Sequence, residues 1–349
     1  MIFEYYGPSQ SCLTAFIDML SCQFSNSTKR VGVINWWWLN DEELNLDKLK
    51  AFVEQQDICF FLSEEIFEKY NSININDVFS LLNKYNVYYI LFSEDHSLTV
   101  KPAEDKSFYY PWFFKSPLYV PSNFKPELVY REKPYTFNLM LGSKKPYRTL
   151  LYKLLKDNKN IYSSYLGHPK FKNQSLTFLE DEDILLDLTN QNVEVDKLNT
   201  MNSIQRENER HVISHVVPEK IYADTHFDIV TETFVKHSHN FLTEKTAKPL
   251  ATGRFFYWYA SSGLIPYLER YGFIFDYDLI SYDSITNDVD RLDDVLNLIE
   301  ELSANKNLVK EIYEKTSYVR EHNMRVYWEG RTRFAEDLYG WLLACVQRV

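Results

Sequence analysis

The sequence predicts an α/β fold of two successive Rossmann-like domains facing across a cleft. Three observations predict it. Short apolar runs alternate with amphipathic, helix-spaced segments twice over, as the βαβ units of a parallel sheet require. A proline-interrupted, aromatic-rich stretch over 101–133 separates the two alternations. The 349 residues, 45% hydrophobic and 16% aromatic, suffice for two cores of ordinary domain size.

The first alternation opens with a strand over 2–6, broken by Gly7-Pro8-Ser9, and apolar residues at helical spacing over 12–22. A strand over 30–38 ends in Trp36-Trp37-Trp38, three aromatics that either stack on a sugar or base or pack between helices. An amphipathic helix is predicted over 41–55, a buried strand over 58–62, a helix over 75–85 and another buried strand over 88–92. Pro102, Pro111, Pro117, Pro121 and Pro126 then interrupt a stretch whose aromatics demand burial, so 101–133 reads as a packed connection between domains. The first domain is placed at 1–130.

The second alternation predicts a strand over 135–141, a helix over 148–156 and a strand over 160–165. Residues 170–225 are polar and without clear periodicity. Strand–helix order resumes with a strand at 227–231, a helix at 243–251, a strand at 255–259, a helix at 264–271 and a strand at 273–275. Helices are predicted over 289–302 and 307–324, and a long amphipathic helix over 327–349. The second domain is placed at 131–325 and the last helix at 326–349.

The formal net charge of −11 disfavours a surface that tracks nucleic acid or anionic lipid, which needs clustered Lys and Arg; a local basic cleft stays open. Cys12, Cys22, Cys59 and Cys345 have no C-x-x-C spacing and read as reduced, mostly buried thiols of a cytoplasmic protein, and Asn26-Ser27-Thr28 reads as a chance sequon in a chain without secretion signals. The start MIFEYYGPSQ has neither the basic nor the apolar region of a signal peptide, and no apolar run approaches the ~20 residues of a membrane span.

The motifs of dinucleotide folds, P-loops and nucleophile elbows are missing. His237-Ser238-His239 lies in a polar loop without further ligands, and Glu180-Asp181-Glu182-Asp183 reads as a solvated turn or helix start, so no metal is expected. The stretch HFDIVTETFVKHSHNFLTEKTAKPLATGRFFYWYASSG, 226–263, differs. With Thr243 as N-cap, Glu244, Lys245 and Thr246 fill the first turn of a helix. The free N–H groups and the dipole there favour an anion, and a lysine in that turn makes sense if it meets a phosphate. The other reading is an ordinary capped helix with surface charges, Lys248 pairing with Glu244 one turn away.

This stretch resembles the donor-binding motif of the α-1,3-fucosyltransferases. The resemblance rests on Val230-Thr231-Glu232-Thr233, on Phe241-Leu242-Thr243-Glu244-Lys245, on the strand at 255–259 and on Ser261-Ser262-Gly263. It extends to NLMLGSKKPYRTLLYKLL, 138–155, with Arg148 in the arginine position, and more faintly to Ile90-Leu91-Phe92-Ser93-Glu94-Asp95. It covers mainly 135–300. Similar stretches occur in glycosyltransferase-like proteins of bacteriophages. Thr233 and Phe241 depart from the family's Asn and Tyr, and the loop between Glu232 and Glu244 is longer, which puts donor base and sugar in doubt.

The resemblance implies a GT-B fold, a last helix crossing back to the first domain, and an inverting, metal-independent transfer from a nucleotide-diphosphate sugar without other cofactor. The acceptor would be a glycan or a hydroxylated base in phage DNA, the latter placing the protein in a host cytoplasm. Glu244 would hold the ribose, Lys245 and Arg148 the diphosphate, and Glu232 the sugar or the loop, with Thr243 and Lys248 beside them. Glu94 or Asp95 would be the base. The rival reading is a non-catalytic nucleotide- or sugar-binding protein on the same fold.

Overall fold

The computed structural model describes residues 1–6, 14–35, 45–63, 69–70, 73–92, 94–95, 98–115, 120, 124–141, 145–165, 217–235 and 239–348. Gly7-Pro8-Ser9, Cys12, Trp36-Trp37-Trp38, the acidic run at 180–183 and His237-Ser238 lie outside the described residues. The chain divides into two compact units: 1–115 with 238–241 and 331–349, and 116–237 with 242–330.

In the first unit β1 (Ile2–Tyr6), α1 (Thr14–Gln23), β2 (Arg30–Asn35), α2 (Leu46–Val53) and β3 (Ile58–Ser63) follow the predicted order. A small hairpin, β4 (Lys69–Tyr70) and β5 (Ile73–Asn74), leads to α3 (Ile75–Leu82) and β6 (Val87–Leu91). Next come β7 (Glu94–Asp95), β8 (Ser107–Tyr109) and α4 (Trp112–Lys115). β1, β2, β3, β6 and β8 form one sheet in that order, parallel throughout. β8 corrects the reading of 101–133 as connection only. Its three residues are too few to show a period, and parallel pairing with β6 makes them a strand. The β-branched and aromatic side chains of β3 and β6 pack on α2 and α3, with Phe61 fully buried between Phe79 and Tyr89. Trp341 packs against Phe60, Tyr88 and Phe108 of this unit.

In the second unit β9 (Tyr135–Leu141), α5 (Pro146–Leu155) and β10 (Ile161–Tyr165) precede α6 (Glu219–Asp224) and β11 (Thr225–Thr231). β12 (His239–Asn240), which belongs to the first unit, pairs antiparallel with β7. The chain continues through α7 (Glu244–Thr252), β13 (Phe256–Tyr259), α8 (Leu264–Glu269), α9 (Asp288–Ala304), α10 (Lys306–Lys315) and α11 (Ser317–Gln347). Four strands run parallel in the order β10, β9, β11, β13. The fold is therefore mixed α/β with two parallel sheets.

Two predicted elements differ. Residues 273–275 are not a strand: the Asn323 side chain accepts from Ile274 N at 2.9 Å and donates to Ile274 O at 2.8 Å, supplying what a neighbouring strand would. The helix break predicted near 325 lies instead at Thr316, whose fully buried hydroxyl donates back to Ile312 O, and no proline interrupts 317–347.

The amino end of β11 is held by charge. Asp228 pairs with Arg254 at 2.6 Å and accepts from Asn138 at 2.6 Å, while Lys133 donates to Tyr222 O and Thr225 O and pairs with Glu127. His226 stacks on Tyr130 with ring centroids 5.0 Å apart. Burial, with the Lys133 and Arg254 charges, pushes its imidazole down to about 4.

Candidate functional site

The chain leaves β9 through α5 to reach β10 on one side, and leaves β11 through α7 to reach β13 on the other. The connections diverge between β9 and β11. In an open parallel sheet, the crevice outside the carboxyl ends at such a divergence is where ligands bind.

At that place every carbonyl from 231 to 235 has a donor. Arg148 Nη2 donates to Thr231 O at 3.2 Å and Glu232 O at 3.1 Å. The Tyr147 hydroxyl lies 2.6 Å from Glu232 O and 2.8 Å from Thr233 O, and Lys145 Nζ donates to Thr233 O at 3.0 Å. Ser261 N donates to Phe234 O at 3.1 Å and Arg291 Nη2 to Val235 O at 2.6 Å. Backbone that leaves a sheet must find such partners. Here the first turn of α5, the loop after β13 and the first turn of α9 provide them, so the segment is held from several sides.

The Glu232 side chain is buried and turns to α7. Its Oε1 accepts from Thr243 N at 3.0 Å, Thr246 N at 3.2 Å and Thr246 Oγ1 at 2.6 Å, and its Oε2 accepts from Thr243 Oγ1 at 2.7 Å. Thr243 is the N-cap, as predicted. Its hydroxyl also accepts from Lys245 Nζ at 3.0 Å, and that ammonium pairs with Glu244 Oε1 at 2.7 Å. Thr246 Oγ1 accepts from Trp258 Nε1 at 3.1 Å, which joins α7 to β13. At the far end of α7 Gly253 stands at φ +66°, and Arg254 N reaches back to Pro249 O at 2.9 Å, a left-handed cap that few other residues adopt.

The same device recurs next door. The Asp283 carboxylate accepts from Leu264 N and Ile265 N at the start of α8, both at 3.1 Å. Burial nevertheless raises its pKa, against these hydrogen bonds and the Arg291 charge.

Five predicted residues thus meet in one hydrogen-bonded group: Arg148, Glu232, Thr243, Glu244 and Lys245. Arg148 is fully buried, and Lys245 keeps part of its side chain exposed. Lys248 stands one turn further along α7, half-buried. Glu94 and Asp95 form β7 in the first unit, opposite Asn240 and His239 of β12. Glu94 is half-buried, and its charge adds to burial in raising the Tyr109 hydroxyl. Among the described residues no three His, Cys, Asp or Glu side chains gather to hold a metal, and no helix is long and apolar enough to cross a membrane.

Sequence reasoning missed Tyr147, Trp258, Asp283 and Arg291. Tyr147 adjoins Arg148, and a tyrosine in the first turn of that helix was the available signal. Asp283 and Arg291 lie in separate elements, and nothing in their local sequence points to α8 or to Val235. No protein-family model matches the chain, and no curated protein matches it.

Proposed function

We propose that the chain is a nucleotide-sugar-dependent glycosyltransferase of GT-B type, inverting and independent of metal. One observation carries this reading: Arg148, Glu232, Thr243, Glu244 and Lys245 form a single group at the carboxyl end of β11, where the connections of the sheet diverge. Lys245 brings a side chain that is partly exposed, and Arg148 adds a fixed buried charge.

In the proposed reaction an acceptor hydroxyl attacks the anomeric carbon as the bond from that carbon to the diphosphate oxygen breaks. The electron pair leaves with the nucleoside diphosphate, and the acceptor proton goes to a carboxylate, Glu94 or Asp95. Negative charge grows on the leaving group, and cations already in place stabilise it without reorganising. Arg148, committed to two carbonyls, acts through its field and by holding the strand end. Lys245 touches the diphosphate, Glu244 the ribose, and Lys248 lies along the same helix. The acceptor is a glycan or a hydroxylated base in DNA.

A thermal-shift screen with GDP- and UDP-sugars tests the reading. One nucleotide class raises the melting temperature, and the sugar is transferred or slowly hydrolysed. No shift with any of them sinks both the activity and the site. A second reading, a binding protein without catalysis, is favoured by the internal partners that both cations already have. A nucleotide sugar that binds but stays intact across a panel of acceptors would select it.

A further inference from the structure

The amino end of a helix carries about half a positive charge and takes oxyanions as its natural ligands. At α7 that place is taken from within. The Glu232 oxygens receive four donors, all from Thr243 and Thr246. A carboxylate only accepts, so the single Thr243 hydroxyl proton goes to Glu232 Oε2 at 2.7 Å. The lone pairs of Thr243 Oγ1 then accept from the Lys245 backbone N–H at 3.4 Å and from the Lys245 ammonium at 3.0 Å, and that ammonium also pairs with Glu244 Oε1 at 2.7 Å. In the same way Thr246 donates to Glu232 and accepts from Trp258, which sets the height of α7 on the sheet.

We propose that Glu232 is a positioning residue: a built-in oxyanion that closes the amino end of α7, fixes the proton order from Lys245 through Thr243 to Glu232, and so places the Lys245 ammonium. The proposal rests on the reading of Lys245 as the cation of a donor site. It also assigns the anion contact of a ligand to the Lys245 side chain and denies it the amides of Thr243 and Thr246, which Glu232 already holds.

The test removes the carboxylate and supplies another. Glu232→Ala in the full chain melts at a lower temperature than the parent and binds UDP or GDP about tenfold more weakly, the loss of at least one charge-assisted hydrogen bond. Sodium formate, a carboxylate small enough for the vacated space, restores a substantial part of both losses. Sodium chloride at equal ionic strength does not, and formate leaves the parent and Asp293→Ala, an exposed acid, unchanged. Formate without effect on Glu232→Ala overturns the proposal. If Glu232→Ala does not fold in either salt, Glu232→Gln decides, because it keeps the volume and halves the acceptors. A lower melting temperature with weaker nucleotide binding supports the proposal, and parental nucleotide binding overturns it. If no nucleotide binds the parent, the donor-site reading falls by itself. The melting temperatures then decide alone, formate rescue of Glu232→Ala or a lowered value for Glu232→Gln supporting the oxyanion role and their absence overturning it.

Discussion

Glu232 and Thr243 stand eleven residues apart and are joined twice, Thr243 N to Glu232 Oε1 at 3.0 Å and Thr243 Oγ1 to Oε2 at 2.7 Å. The pair ties the end of β11 to the start of α7 across the loop between them. It brings the two halves of the candidate donor motif together.

Thr246 extends the tie. Thr246→Val keeps the shape but removes a donor to Glu232 and the acceptor of Trp258 Nε1, leaving both buried partners short of a bond. Urea unfolding should show a loss of ~1–3 kcal/mol, whereas Thr246→Ser, which keeps the hydroxyl, should lose less. Equal stability of the valine variant and the parent would show that the network contributes nothing to folding.

The two candidate cations should separate in their effects. Arg148 is buried and bonded to the carbonyls of Thr231 and Glu232, so Arg148→Ala leaves a cavity and two weakened carbonyls and should melt several degrees lower. Lys245 is partly exposed, so Lys245→Ala should melt close to the parent while nucleotide binding falls about tenfold or more. The paired measurement is a melt and a nucleotide titration on each variant. Unchanged nucleotide binding in Lys245→Ala contradicts the placement of the site.

Gly32 in β2 is required by close approach. A Cβ there would lie 2.7 Å from Cys59 Sγ and 2.9 Å from both Gln56 Cγ and Phe52 Cε1. Gly32→Ala should therefore cost ~1–3 kcal/mol as overpacking, read as a lower urea midpoint. A midpoint equal to the parent's would mean that α2 moves away from the sheet without penalty.

His226 should set part of the acid limb of stability. Its folded pKa is about 4 against the ordinary 6.5, because burial and the neighbouring Lys133 and Arg254 charges disfavour the imidazolium. Between these values the unfolded chain binds the proton and the folded chain does not. Stability is then undiminished above pH 6.5 and falls as the pH drops towards 4, by up to ~3 kcal/mol from this group. His226→Phe, which preserves the stack on Tyr130, should flatten melting temperature against pH over that window. An identical profile in the variant would assign the acid limb to carboxylates such as Glu127, whose pKa is lowered by Lys133 and Arg131 despite its burial.

The α/β class was legible because runs such as Phe60-Phe61-Leu62 and Tyr88-Tyr89-Ile90 are apolar on both faces, and only a strand covered on both sides suits them. Thr243 was legible as an N-cap from its own chemistry. β8 was not legible, since three residues show no period and their pairing with β6 supplies the strand. Residues 273–275 misled in the opposite direction, because Asn323, far along the chain, satisfies Ile274.

What the sequence determined by itself was local: the longer, strongly patterned helices and strands, where α7 begins, and that Arg148, Glu232, Glu244 and Lys245 are the charged residues to watch. Only the tertiary structure decided what those charges do. It turned Glu232 inward to the amides and hydroxyls of Thr243 and Thr246, bound Arg148 to the carbonyls of β11, and left Lys245 with part of its side chain in solvent. A hydrogen bond is fixed by a few tenths of an ångström and by direction, and neither is written in the spacing of residues along one chain.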